Sequence, residues 1–176
     1  MMRNGARGLI VALMLAAVTD GDIRVTPLVA DGRVSASFVA AAAFTDDSRQ
    51  VVKSGVPLTF TYLVELRRPS TIWWDRTVGS ATVAALVKFD TLTSVYQVSK
   101  QQEGKVTWSK STSKEDDVRT WVTAFDAVPI QTGEPLEPNA DYYLRVRLQA
   151  RPHVKVWLWP WGRDDGSGRA DFTFIR

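Results

Sequence analysis

The sequence predicts a mostly-β protein: an immunoglobulin-like β-sandwich or open barrel with one or two short helices. Three observations point there. Several segments alternate apolar and polar residues with a period of two, the mark of half-buried strands. Turn-forming residues separate them at short intervals, as in sandwiches and barrels. Only two segments carry helix signals. Residues 1–17 are expected to be a signal peptide and residues 18–176 a single β-sandwich domain.

The first strand pair is expected over residues 23–30 and 33–41, joined at Asp31-Gly32, since Asp-Gly tolerates the positive φ of a tight hairpin turn. Thr45-Asp46-Asp47-Ser48 reads as the start of a short helix, with carboxylates at the positive end of its dipole. Gly55 is placed to end it. Leu58, Phe60, Tyr62, Val64 and Leu66 then alternate with Thr59, Thr61, Leu63, Glu65 and Arg67, a strand with one face in the core. Residues 71–78 and 81–89 read as further strand, with Gly79 marking a bulge or bend between them. Residues 94–100 and 105–110 form a second hairpin across Gln101-Gln102-Glu103-Gly104.

Ser113, with Asp116 three residues on, suggests a capping box at the start of a second helix. Val118, Trp121, Val122 and Phe125 fall on one helical face. Pro129, Gly133, Pro135 and Pro138 mark an irregular loop. Residues 141–151 alternate most clearly of all: Tyr142, Leu144, Val146, Leu148 and Ala150 on one face, Tyr143, Arg145, Arg147, Gln149 and Arg151 on the other. Residues 154–159 extend the sheet, residues 164–168 make a turn, and a last strand covers residues 170–175.

The N-terminal residues have a different logic. Arg3 and Arg7 precede a short apolar run from Leu9 to Val18, the pattern of a secretory leader. The run is shorter than the about 20 apolar residues that span a bilayer. Export to the periplasm, or to the outer side of the envelope, is the expected destination, with no integral membrane span once the leader is removed.

Composition narrows the chemistry. Hydrophobic residues make up 45% and charged residues 23%, which suits a packed core and argues against disorder. The formal charge is +3, and Arg3 and Arg7 supply two of those positive charges, so a nucleic-acid partner is not expected. With no cysteine, disulfides, thiol catalysis and thiolate metal sites are impossible. His153 is the single histidine, too few for a histidine metal cluster, and no Gly-x-Ser-x-Gly stands anywhere to make it part of a triad. The pairs Asp46-Asp47 and Asp116-Asp117 are explained by helix starts. Asp164-Asp165 opens a segment that lacks the ligand order of a calcium loop. No catalytic residue, cofactor or metal is therefore expected, and a hydrolase is disfavoured.

The segment Val52-Lys-Ser-Gly55-Val-Pro57-Leu-Thr-Phe60-Thr-Tyr-Leu-Val64 resembles the pattern LxxGxPxxFxxxV of the bacterial family catalogued as domain of unknown function 4390. Trp73-Trp74-Asp75-Arg76 and Val87-Lys-Phe89-Asp90-Thr-Leu92 are similar to later parts of that family. Val52 stands where leucine is usual, and Phe89 where tyrosine is common. The resemblance implies a bacterial, exported protein. Some family members are encoded beside two-component nitrogen-regulation sensor kinases. It supplies no catalytic residue to carry over. Packing alone explains the motif as a helix-to-strand corner: Gly55 for positive φ, Pro57 before the ladder begins, Phe60 and Val64 on one face.

One region suggests a contact surface. Arg145, Arg147, Arg151, Lys155, Trp157, Trp159 and Trp161 interleave cations with large aromatics, and no acidic residue lies among them. Such a mixture suits a protein hot spot, an anionic lipid surface or sugar stacking. It equally suits tryptophans packed on a sandwich end beside solvated arginines. The expected function is a non-enzymatic extracytoplasmic interaction domain, envelope or sensor-kinase associated, whose partner is an envelope protein or an anionic membrane surface. The alternative is a carbohydrate- or lipid-binding module using the same residues.

Overall fold

The computed structural model describes residues 22–72, 74–152 and 166–175. Two antiparallel sheets form a sandwich-like arrangement with two helices and no closed barrel. In chain order the elements are β1 (Arg24–Ala30), β2 (Arg33–Val39), α1 (Asp46–Lys53), β3 (Leu58–Arg68), β4 (Arg76–Asp90), β5 (Val95–Gln102), β6 (Lys105–Thr112), α2 (Glu115–Thr123), β7 (Ala124–Pro129), β8 (Gln131–Thr132), β9 (Asp141–Pro152) and β10 (Ser167–Thr173). The small sheet has the order β1-β2-β7. The large one has the order β10-β9-β3-β4-β5-β6, with β8 paired to β4.

Local chemistry sets the corners. Asp31 and Gly32 have φ of 51° and 72°, the positive values a two-residue β1–β2 turn requires. Thr45 caps α1 by accepting the Ser48 N–H at 3.2 Å. Gly55, at φ 86°, reverses the chain out of α1 before Pro57 leads into β3. Val52, Phe60 and Val64 are all fully buried, so the motif is the helix-to-strand corner that its residues imply.

The core fills the space between the sheets. Inward residues of β3, Phe60, Tyr62, Val64 and Leu66, meet Val34, Ala36 and Phe38 from β2 and Phe125 and Val128 from β7. Phe38, Tyr62 and Phe125 form a triangle of rings with centroids 5.1–5.2 Å apart. Tyr62 also donates its hydroxyl to the Val122 carbonyl at 2.8 Å, satisfying an acceptor in the last turn of α2. Burial pushes the Tyr62 phenol well above its ordinary pKa. Lys100, from β5, donates to the Ala124 carbonyl at 2.7 Å and so brings a cation to the end of a helix that has none in its last turn. Glu115 joins the two helices, pairing with Lys53 at 2.7 Å and Arg49 at 3.3 Å.

Two glycines allow backbones to touch. At Gly168 in β10, an added Cβ would lie 2.0 Å from the Ile23 carbonyl oxygen, where the chain entering β1 crosses the large sheet. At Gly79 in β4 it would lie 2.7 Å from the Gln131 carbonyl oxygen. That second contact is where the chain leaves β7 in the small sheet and, through buried Ile130, pairs as β8 with the large one.

Several expectations need correction. Residues 71, 72, 74 and 75 are not strand, and β4 begins at Arg76 and runs through Gly79; the expected bulge is there, since Leu66 pairs with Gly79 and Arg67 with Thr77, which leaves Val78 as the extra residue on β4. The second hairpin is tighter than expected, since Glu103 and Gly104 alone take positive φ, at 48° and 76°, and both strands run longer. Ser113 does not cap α2; Lys114 holds the cap position with no side-chain bond, and Thr112 Oγ1 instead donates to Asp117 at 2.7 Å. Phe125 belongs to β7, a strand hidden by the apparent helical period, because the helix stops at Thr123 and Tyr62 draws the next aromatic into the core. The Pro-rich loop contains the short β8. The expected strand over residues 154–159, His153 and Asp164-Asp165 lie outside the described residues.

Gly168→Ala is expected to destabilise the protein by at least about 2 kcal/mol in urea unfolding, because backbone cannot yield as a side chain can. Gly133→Ala, with nothing within 4 Å of its Cβ, is the control and should change little. Tyr62→Phe keeps the ring and strands the Val122 carbonyl, so a loss of about 1–3 kcal/mol is expected.

Candidate functional site

The outward face of the large sheet is built by alternation. On β9, Tyr143, Arg145 and Arg147 are on the face away from the small sheet, since Leu144, Val146 and Leu148 are buried in the core. Register brings other strands to them. Arg145 stands between Glu65 on β3 and Arg169 on β10, Arg147 between Leu63 and Ser167, and Tyr143 between Arg67 and Asp171. Thr59, Thr61, Leu63, Ala84 and Leu86 continue the face as a half-buried, weakly polar floor.

Tyr143 organises one end of this surface. Its hydroxyl donates to Asp75 Oδ2 at 2.6 Å. The Arg169 guanidinium lies over its ring at 3.8 Å, and that of Arg67 at 5.9 Å. Only 3% of Tyr143 is exposed, although it is on the outer face. Asp75 Oδ1 accepts the Ser70 N–H at 3.1 Å, and the Asp75 carbonyl accepts from Arg67 Nη2 at 2.8 Å. The loop between β3 and β4 is thereby fastened to the sheet by one aspartate. The Tyr143 hydrogen bond, with help from the Ser70 N–H, holds the Asp75 carboxyl below its ordinary range. Burial, and then the same hydrogen bond, raises the Tyr143 phenol.

The arginines differ in their pairing. Arg147 reaches Glu65 at 3.2 Å, and Arg169 pairs with Asp171 on its own strand at 2.6 Å. Arg145 has no ion pair among the described residues. The Nε atoms of Arg67 and Arg147 are shielded from solvent without a hydrogen-bond partner among the described residues. The surface is therefore cationic with partly desolvated guanidiniums, whose terminal N–H groups suit an incoming anion.

Of the residues singled out in the sequence, Arg145 and Arg147 come together here. Arg151 takes the register position opposite Thr59. Lys155, Trp157, Trp159 and Trp161 lie outside the described residues. Arg67, Asp75, Tyr143 and Arg169 were not recognised as a group in the sequence. The signal that finds them is pairing register, which a single alternating segment does not carry. Among the described residues, no group of three or more His, Cys, Asp or Glu could hold a metal ion, and no helix is long and apolar enough to cross a membrane. A cleft of about 270 Å³ between β5, β6 and β7 is lined by Lys100, Trp108, Phe125 and Asp126. The Lys100 ammonium already lies 4.6 Å from the Phe125 ring and 5.6 Å from that of Trp108.

The fastening of the loop has a definite pH window. A carboxylate with a depressed folded-state pKa stabilises above its ordinary value, near 3.8, and the contribution vanishes as pH falls through the folded value. The neutral Tyr143 phenol holds its side of the contact until pH rises beyond its ordinary 10.0. Asp75→Ala should speed exchange of the Ser70 amide at neutral pH at least about tenfold, the effect of losing one hydrogen bond. Equal exchange in both proteins would contradict the assignment.

A family model described as "Domain of unknown function (DUF4390)" matches residues 22–152. No curated protein and no solved structure matches the chain. The matched residues include the α1–β3 corner, both sheets up to β9, the Asp75–Tyr143 fastening, and Arg145 and Arg147. The chain belongs to the DUF4390 family.

Proposed function

We propose that this is a non-enzymatic interaction domain working outside the cytoplasm of a bacterium, and that the outer face of the large sheet is its contact surface. One observation carries the proposal: Arg67, Arg145, Arg147 and Arg169, from three adjacent strands, share a face whose centre is half-buried and weakly polar. A surface of this kind recognises a partner that presents carboxylates or other anions on a flat or extended segment. Arginine suits it because the planar guanidinium forms paired hydrogen bonds to carboxylate and sheds water readily. The leader at Arg3, Arg7 and residues 9–18 supports an extracytoplasmic setting. An envelope protein, with a sensor kinase as one candidate, is the partner class this favours.

Arg145 is the residue to test, because it has no ion pair among the described residues to lose. Arg145→Glu should lower recovery of an envelope partner in a pull-down about tenfold or more, with the unfolding midpoint unchanged. Recovery by the unaltered protein should fall steeply between about 0.05 and 0.5 M salt. Arg24→Glu, at an exposed position on β1, serves as the control. Equal recovery by both variants would rule the surface out.

A further inference from the structure

The loop fastened by Asp75 displays two large apolar side chains. Ile72 is 81% exposed and Trp74 91% exposed, two residues apart on one tip. Trp73, between them, lies outside the described residues. Single exposed apolar residues are ordinary on protein surfaces, and Leu92, at 95%, is one. The tip differs in two ways. It pairs an indole with a branched aliphatic chain, and its base is held by three contacts to one residue: Tyr143 and Ser70 to the Asp75 carboxylate, and Arg67 to the Asp75 carbonyl. The base is held while the two side chains stand in water, and moving such apolar surface into an apolar phase is favourable.

We propose that Ile72 and Trp74 form a docking tip that enters the interfacial zone of a phospholipid bilayer. The tip is a protrusion, and a bilayer receives a protrusion without a matching pocket. The indole suits the headgroup boundary, where its ring is apolar and its N–H stays wet. Charge around the base is balanced: Arg68 pairs with Glu137, Arg76 with Glu134 and Arg169 with Asp171, while Arg67, whose guanidinium bonds to the Asp75 carbonyl, lies near enough to the Asp75 carboxylate to act on it. Docking is accordingly driven by apolar transfer, needs no anionic lipid and resists salt. That separates it from the arginine face, whose contact weakens with salt. The proposal shares with the proposed function only the extracytoplasmic setting, in which an exported chain meets a membrane surface.

Because the chain has no cysteine, a single introduced one can carry an environment-sensitive fluorophore. In the full chain, bimane-labelled Ile72→Cys should shift to the blue on adding phosphatidylcholine vesicles, at about 0.05 and 0.5 M salt alike. Labelled Leu92→Cys, at the other end of β4 and about 45 Å away along the strand, should not shift. Adding Trp74→Ser should weaken vesicle binding about tenfold, the order expected for one large side chain no longer leaving water. Both positions are exposed, so the fold should survive, and an unchanged unfolding midpoint would verify it. No shift at residue 72, or equal shifts at 72 and 92, would overturn the proposal. So would a shift that grows with protein concentration without vesicles, which would mean that a second copy covers the tip. A shift abolished by salt would overturn it too, while leaving the arginine face as the binding surface.

Discussion

The Tyr62 side chain is the point where the parts of the fold meet. Its ring packs against Phe38 of β2 and Phe125 of β7, and its hydroxyl holds the last turn of α2. One residue of a central strand therefore contacts two strands of the opposite sheet and the helix that leads into one of them. A phenol is the side chain that can do this. Its body adds apolar burial, and its hydroxyl satisfies a carbonyl that would otherwise be orphaned inside the core. Lys100 answers the Ala124 carbonyl, two residues further on, from a neighbouring strand. With both satisfied, the chain can turn from helix directly into strand without a loop.

That arrangement decides which surface of the described residues lies outside the core. The small sheet covers the inner face of β3, β4 and β9, and the two helices close the α2 side of the sandwich. The close approach of Ile23 to Gly168 seals the other side. The outer face of the large sheet is left to carry whatever β9, β3 and β10 present there. The alternation that buries Leu144, Val146 and Leu148 necessarily turns Tyr143, Arg145 and Arg147 outward. Fold and surface are thus two consequences of one pattern. The surface also shapes the loop beyond it, since Tyr143 fixes Asp75 and Asp75 fixes the tip.

Much of this was legible in the sequence where a local rule governs. The Asp31-Gly32 turn, the Thr45 cap, the Gly55 corner and the alternation of β3 and β9 all follow from residue chemistry within a few positions. Misreadings arose where a distant partner decides. Phe125 falls in helical phase with Val118 and Val122, yet tertiary packing makes it a strand residue. Residues 71–78 read as strand, but Asp75 bonds back to Ser70 and Tyr143, and Thr71, Ile72, Trp74 and Asp75 stay outside the strand. The candidate surface was half visible. The β9 alternation exposed Arg145 and Arg147, whereas Arg67, Asp75 and Arg169 join only through register between strands far apart in sequence.

If this family member acts through the outer face of its large sheet, a partner must lie against β9 in the cell. The most direct measurement is site-specific photo-crosslinking in intact cells, with a photoreactive residue replacing Gln149 on β9 or, separately, Thr26 on the outer face of the small sheet. A discrete adduct from position 149 and none from position 26 is the expected result. Adducts from position 26 alone, or no adduct from either, would contradict it.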